Sequence, residues 1–172
     1  GEVLLTDTVG FINRLPHHLV EAFKSTLDEV AFSNLVLIVM DATDPKFQQK
    51  MEITERILDE IFRKRDLTPP ETLYVLNKTD LPESKFNVHA FPKDKNHVAI
   101  SAKTGLGKEK LLEKIALEQA LEKLPEREAT VIKLRYYHCL TQDRVSKVLG
   151  VSQVQVSRIE KKALEHLRIL LR

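Results

Sequence analysis

Three short polar motifs each follow an apolar, strand-like run of the sequence. They are Asp7-Thr8-Val9-Gly10, Asn77-Lys78-Thr79-Asp80 and Ser101-Ala102-Lys103. Ligands bind beyond the carboxyl ends of the strands in an open α/β sheet, so three such loops in this order favour one shared site. The alternative is three polar loops of an unrelated α/β fold.

The second motif has the chemistry of guanine recognition. The Asp80 carboxylate can accept two hydrogen bonds, from the ring N–H and the exocyclic amine of guanine. Adenine lacks both donors at those places, so the wrong base leaves a charge unpaired, at a cost of about 1–3 kcal/mol. The stem of Lys78 can cover the face of the base, and Asn77 can tie neighbouring loops together.

The other two motifs can supply the remaining contacts of a nucleotide. Asp7, at a strand end, can hold a magnesium ion through a bound water, and Gly10 lets a backbone N–H approach a terminal phosphate. A backbone amide of Ser101-Ala102-Lys103 can meet the carbonyl oxygen of guanine. We therefore predict one nucleotide site from the three motifs and assign no catalytic residue.

A second group of residues, near the C-terminus, has the pattern of a helix-turn-helix. Thr141 can cap one helix, Gly150 makes the turn, and Ser152 can cap a second helix with a polar outer face. Glutamine can recognise adenine, arginine can recognise guanine, and lysine and serine suit phosphates. The predicted DNA-binding residues are Thr141, Ser152, Gln153, Gln155, Ser157, Arg158, Lys161 and Lys162. The alternative is a three-helix bundle with a charged face.

Alternating strands and helices must position the first site. Apolar runs predict strands at 3–7, 35–40, 72–76 and 97–100, and helical spacing predicts helices at 15–30, at 48–65 and from 107 onward. Residues 78–96 have a mostly loop-like composition. This order predicts a doubly wound, mostly parallel sheet of about four strands in an α/β domain over 1–117. An all-α domain follows over 118–172.

Composition narrows the class of protein. The 172 residues carry a net charge of +2, but the segment from Glu118 onward holds 11 basic and 7 acidic residues, which indicates a polyanionic partner for that end. A single cysteine, Cys139, excludes a disulfide framework and fits a cytoplasmic setting. No run is apolar enough for membrane insertion. A start at Gly1, within a strand-like run, indicates an excerpt.

Residues 1 to about 116 resemble the GTPase domain of the HflX family of ribosome-associated translational GTPases. The resemblance is carried by residues 4–12, Leu15-Pro16-His17, residues 19–23, Ser25-Thr26-Leu27 and residues 41–45. It implies GTP or GDP with Mg²⁺ as ligands and the large ribosomal subunit as partner. Phe11 stands where many relatives of Ras carry a water-orienting glutamine, so the family must position water differently.

The phosphate-loop motif G-x-x-x-x-G-K-[ST] occurs nowhere in the 172 residues. By the resemblance, that loop and the first switch would precede Gly1, and the strand leading into the loop would lie between the strands at 2–6 and 35–40. Its absence should leave a gap or let those two strands pair. Since phosphate and metal contacts provide most of the catalysis in such enzymes, we expect weak nucleotide binding and no GTP hydrolysis.

Residues from about 118 to 172 resemble region 4 of bacterial sigma factors, nearest the sporulation type. The resemblance is carried by residues 124–128, Ile132, residues 134–137, Thr141-Gln142, Val145, residues 149–153, residues 156–160 and Ala163-Leu164. It implies binding to the −35 promoter element and to core RNA polymerase. The housekeeping family has Arg-Glu-Arg where this chain has Gln153-Val154-Gln155, which predicts a different base preference.

Three interpretations of the whole chain follow. The first is a composite of a GTP-binding fragment and a promoter-recognition module. The second is an engineered or misassembled chimera in which only the DNA-binding tail functions. The third is a GTPase of the HflX type whose phosphate loop lies upstream of this excerpt.

Overall fold

A computed structural model describes residues 4–7, 30 and 33–171. The chain divides into two compact units, Gly1–Leu111 and Leu112–Arg172. The described strands are β1 (Leu35–Asp41), β2 (Glu71–Asn77) and β3 (His97–Ala99). The described helices are α1 (Phe47–Lys64), α2 (Ser84–Ala90), α3 (Lys108–Glu122), α4 (Glu126–Ile132), a π-helical turn (Lys133–Tyr137), α5 (Gln142–Leu149) and α6 (Gln153–Leu170). An α/β fold followed by an all-α one is confirmed.

The N-terminal unit is built on a parallel sheet of order β1-β2-β3. Leu35 pairs with Glu71 and Asp41 with Asn77, so β1 and β2 end in register. Apolar residues fill β1 from Leu35 to Met40 and β2 from Leu73 to Leu76, as expected of strands in a parallel sheet covered by helices. The buried side of α1, which includes Met51 and Phe62, packs in one core with the sheet.

The predicted strand at 3–7 is wrong for the residues of it that the structure describes. Residues 4–7 have no regular secondary structure, and the side chains of Leu4 and Leu5 are 94% and 75% exposed. A strand needs a partner for its backbone groups, and none of the described strands pairs with these residues. Direct pairing of this segment with β1 was one of the two outcomes expected, and residues 4–7 do not pair with β1. Residues 8–29, including the predicted helix from residue 15, lie outside the described residues.

Two local features of the N-terminal unit follow from its sequence. The segment 78–96, predicted to be loop-like, contains helix α2. Ser84 of this helix is buried, and the partly buried Val88 packs against the core of the unit. Its seven residues are too few to show a helical repeat.

Gly107, just before α3, has a φ of +75°, and a Cβ there would lie 2.2 Å from the carbonyl oxygen of Ala99. Only glycine lets α3 begin this close to the end of β3.

The C-terminal unit is wholly helical in its described part. One core forms around Leu121, Ile132 and Leu167, and a smaller one joins Val131, Val145 and Val156. The π-helical turn precedes Cys139, whose φ of +52° breaks the helical path before α5. Along the part of the chain that the structure describes, no helix has the length and apolar character needed to cross a membrane.

Candidate nucleotide pocket and helix-turn-helix surface

The carboxyl ends of β2 and β3 bring two of the predicted motifs together. The side-chain oxygen of Asn77 accepts hydrogen bonds from the backbone N–H groups of Lys78, at 2.8 Å, and Ala102, at 2.9 Å. The second of these bonds joins the two loops, and Thr79 joins them as well, since its hydroxyl and its backbone N–H donate to the carbonyl of Ile100 at 2.8 and 3.1 Å. The loops after the two strands therefore form one structure, held by Asn77 and Thr79.

Lys78 is held over this edge by an ion pair that the sequence analysis did not anticipate. Its ammonium lies 2.6 Å from the carboxylate of Asp41, the last residue of β1. Burial raises the pKa of Asp41, but hydrogen bonds from Lys78 and Thr43 outweigh burial and lower that pKa to about 2. The Lys78 backbone has a φ of +67°, an uncommon conformation for a residue other than glycine. The position of Asp41 at the end of an apolar strand was the available signal.

Asp80 has the properties that recognition of the base requires. It is exposed, and a hydrogen bond from the Ser101 side chain keeps the pKa of its carboxyl below the usual value. The group is therefore charged at neutral pH and can accept hydrogen bonds from a ligand. Ser101 itself is buried, and its backbone N–H donates to the carbonyl of Leu106 at 2.9 Å.

The structure describes only part of the predicted contacts to phosphate and magnesium. Asp7 is exposed in a segment without regular structure, and Gly10 lies outside the described residues. Among the residues that the structure describes, no group of three or more His, Cys, Asp or Glu side chains could hold a metal ion. The Ala102 amide already donates to Asn77, so a guanine carbonyl oxygen would share that donor, while Lys103 is exposed.

In the C-terminal unit, α5 and α6 are joined as a helix-turn-helix. The Thr141 hydroxyl accepts from the backbone N–H of Arg144 and caps α5, and Gly150 ends that helix with a φ of +64°. Ser152 caps α6, and the Gln155 side chain in turn accepts from the backbone N–H of Ser152 at 3.0 Å. This reciprocal capping box fixes where α6 begins.

A buried carboxylate ties α6 to the elements before it. The two carboxylate oxygens of Glu160 each lie 3.1 Å from Nε of Arg135, which donates to them. The carboxylate also accepts from the hydroxyl of Tyr136 at 3.0 Å and from the amide of Gln142 at 2.8 Å. Burial raises the pKa of Glu160, but these three donors outweigh burial and hold that pKa below its usual value. The side opposite Glu160 is therefore the side of α6 that is left for a ligand.

The outer face of α6 carries most of the predicted DNA-binding residues. Gln153, Ser157, Arg158 and Lys161 are all exposed. Two other predicted residues are engaged within the protein, because Gln155 belongs to the capping box and the Lys162 ammonium lies 3.3 Å from the buried carboxylate of Glu128. The apolar spacing of the sequence predicts Val154 on the buried side of α6 together with Val156, but this prediction is wrong, because Val154 is 61% exposed on the same face as the polar row.

The two units thus combine a parallel α/β fold with a helix-turn-helix. Comparison with known proteins confirms both resemblances. Residues 120–168 match the family described as Sigma-70, region 4.

The N-terminal and central residues are similar to GTPases named HflX. The chain is 46% identical over 120 residues to GTPase HflX of Caldanaerobacter subterraneus subsp. tengcongensis, covering 68% of this chain and 25% of that protein. It is 43% identical over 109 residues to GTPase HflX of Escherichia coli strain K12, covering 62% of this chain and 25% of that protein. The chain spans about a quarter of the length of these curated relatives.

Proposed function

We propose that the C-terminal unit binds duplex DNA in a sequence-specific manner, with α6 in the major groove of a promoter −35 element and core RNA polymerase as its protein partner. The observation that carries the proposal is the exposed row of Gln153, Ser157, Arg158 and Lys161 on a helix whose opposite side is anchored through Glu160. The match to Sigma-70, region 4 supports the choice of target and partner.

The chemistry of this row suits the major groove. Arg158 has a planar guanidinium that can donate two parallel hydrogen bonds to the N7 and O6 of guanine. Gln153 has a free side-chain amide that can pair with the N7 and N6 of adenine. Ser157 and Lys161 flank them and can contact phosphates, which position the helix without selecting a sequence.

Binding of selected duplexes tests this function. The 172-residue chain is used to enrich duplexes from a randomised pool, and affinity is then measured by fluorescence anisotropy at low salt. Arg158→Ala should weaken binding to the enriched duplex by roughly 5- to 150-fold, the range for loss of one bidentate base contact. Arg168→Ala, which removes the same charge from another exposed position of α6, is the matched control. Failure to enrich any duplex at low salt would contradict the proposal.

We infer that the N-terminal unit binds the base of a guanine nucleotide between the loops at Asn77–Asp80 and Ser101–Lys103. The link from Asn77 to Ala102 supports this inference, because it joins the two loops that would contact the base. The similarity to GTPases named HflX supports GTP or GDP as the nucleotide and, by the resemblance, Mg²⁺ as the accompanying ion and the large ribosomal subunit as partner.

Calorimetry with GDP and ADP tests this second function. We expect the 172-residue chain to bind GDP weakly and ADP still less, since only guanine offers two donors to Asp80. Asn77→Ala should weaken GDP binding, and Gln49→Ala, at an exposed position of α1, provides an amide control in the same unit. We expect no GTP turnover from these 172 residues. Turnover near the rate of an intact relative would contradict that expectation.

The boundary between the two functions is proposed to lie between residues 117 and 118, within α3. Both proposed partners, the ribosome and RNA polymerase, are cytoplasmic in bacteria, so we propose the cytoplasm as the location.

A further inference from the structure

Val154 is an apolar side chain at the centre of the proposed DNA-facing surface. It lies in the first turn of α6, four residues before Arg158 and seven before Lys161, so the three share one line along the helix. That line runs opposite the buried side of α6, which is formed by Val156, Glu160, Ala163 and Leu167. With 61% of its surface exposed, Val154 contributes little to the core of the unit.

The neighbouring Gln155 is committed to another role. Its side-chain oxygen accepts from the backbone N–H of Ser152 at 3.0 Å, and the Ser152 hydroxyl accepts from the backbone N–H of Gln155 at 3.2 Å. Bidentate recognition of adenine needs both the oxygen and the amide of a glutamine. Gln155 therefore cannot recognise adenine in this way while the capping box is intact, and Gln153 is the glutamine that remains.

We propose that Val154 forms an apolar subsite for the 5-methyl group of a thymine in the major groove, beside the base pair that Gln153 contacts. This inference rests on the proposed DNA-binding function and specifies which base one position of α6 selects. Thymine is the base whose major-groove edge carries a methyl group, and valine offers no hydrogen bond to any base edge. A cytosine at the same position would turn its exocyclic amine toward an apolar side chain and leave that donor unpaired.

Removal of single methyl groups from DNA tests the subsite directly. Each thymine of a duplex enriched by the 172-residue chain is replaced in turn by deoxyuracil, which differs from thymine only in lacking that methyl. We expect one replacement to weaken binding roughly fourfold, the effect of exposing about one methyl group. In Val154→Ala the same replacement should weaken binding less than it does in the natural chain, because alanine presents a smaller apolar surface to the methyl.

Val148→Ala is the matched control, since Val148 is 62% exposed but lies on α5. This variant should retain the full sensitivity to deoxyuracil. Both valines are exposed, so neither change removes core packing.

Each other outcome has a defined meaning. A duplex that is enriched but insensitive to every replacement would overturn the thymine subsite and leave DNA binding intact. Sensitivity that is undiminished in Val154→Ala would overturn the assignment to Val154. If no duplex is enriched, the DNA-binding function itself fails, and the subsite fails with it.

Discussion

The guanidinium Nε of Arg135 donates to both carboxylate oxygens of Glu160, at 3.1 Å each. The first residue lies in the π-helical turn and the second at the middle of α6. Arg135 also donates to the carbonyl of Leu140, just before α5 begins. One side chain therefore links the π-helical turn to α6 and to the residue that leads into α5, which helps to orient the outer face of α6.

Loss of this carboxylate should destabilise the C-terminal unit selectively. Glu160→Ala leaves Arg135, Tyr136 and Gln142 without their shared acceptor, and we expect a loss of about 3 kcal/mol, as for other buried ion pairs broken at one partner. Glu165→Ala, on the exposed side of the same helix, should change stability little. Hydrogen exchange of the α6 amides, measured by mass spectrometry, reports on this unit alone. Equal protection in the two variants would contradict the prediction.

The same carboxylate predicts a dependence on pH. Its folded-state pKa lies below the usual value of 4.5, so its contribution to stability is present above that value and is lost as pH falls through the lower, folded-state pKa. Glu160→Gln cannot titrate and serves as the reference. Native-state exchange at pH 7 and at successively lower pH should show the stability advantage of the natural chain over this variant shrinking below pH 4.5. A constant difference across that range would contradict the assignment.

Most of the α/β architecture could be predicted because buried parallel strands and amphipathic helices leave strong periodic signals. The run Leu35–Met40 predicted β1 to within one residue of its observed bounds, and Gly150 marked the break between α5 and α6. Residues 4–7 could not be predicted from local pattern alone. An apolar run forms a strand only where a partner strand is present, and the presence of a partner depends on residues elsewhere in the chain.

The types of residue in the candidate sites could be predicted from the sequence, but several of the contacts that these residues make could not. The motif containing Asn77 indicated a link between loops, and the structure shows the hydrogen bond that makes it. The spacing of Ser152 and Gln155 is that of a capping box and was the available signal for Gln155, whereas no local pattern marked Lys162 as a partner of Glu128. Lys78 and Asp41 are 37 positions apart in the sequence. The periodicity of a single helix or strand does not predict a contact between residues so far apart.

The two positive-φ glycines at the ends of helices should respond differently to the same substitution. At Gly150, with a φ of +64°, an added Cβ meets nothing within 4 Å, so Gly150→Ala should cost only the backbone strain, about 1 kcal/mol. At Gly107, the Cβ would also collide with the Ala99 carbonyl, and Gly107→Ala should cost about 3 kcal/mol in its own unit. Hydrogen exchange in α6 and in β3 measures the two effects separately, and a larger loss at Gly150 would contradict the argument.

The two neighbouring lysines of α6 should differ in their contribution to DNA affinity. Lys161→Gln should lower the slope of log affinity against log salt concentration by about 0.9, the value for one lost phosphate contact. Lys162→Gln should lower that slope less, because the Lys162 ammonium is already 3.3 Å from Glu128. Anisotropy titrations of an arbitrary duplex at several salt concentrations provide both slopes. Equal reductions in slope would show that DNA draws Lys162 away from Glu128.

The exposed carboxylate of Asp80 predicts how base specificity can be changed. Asp80→Asn keeps one acceptor for the ring N–H but turns the second position into a donor, which faces the exocyclic amine of guanine and leaves two donors opposed. Xanthine has a carbonyl oxygen at that place and should accept the new hydrogen bond. We therefore expect the variant to lose GDP affinity by roughly 5- to 150-fold and to gain affinity for xanthosine diphosphate, since an unpaired polar group costs about 1–3 kcal/mol.

Calorimetric titration with both nucleotides measures this change of specificity. Asp94→Asn, at another exposed aspartate of the unit, should leave both affinities unchanged. A loss of GDP binding with no gain for xanthosine diphosphate would mean that Asp80 supports the loop rather than contacts the base.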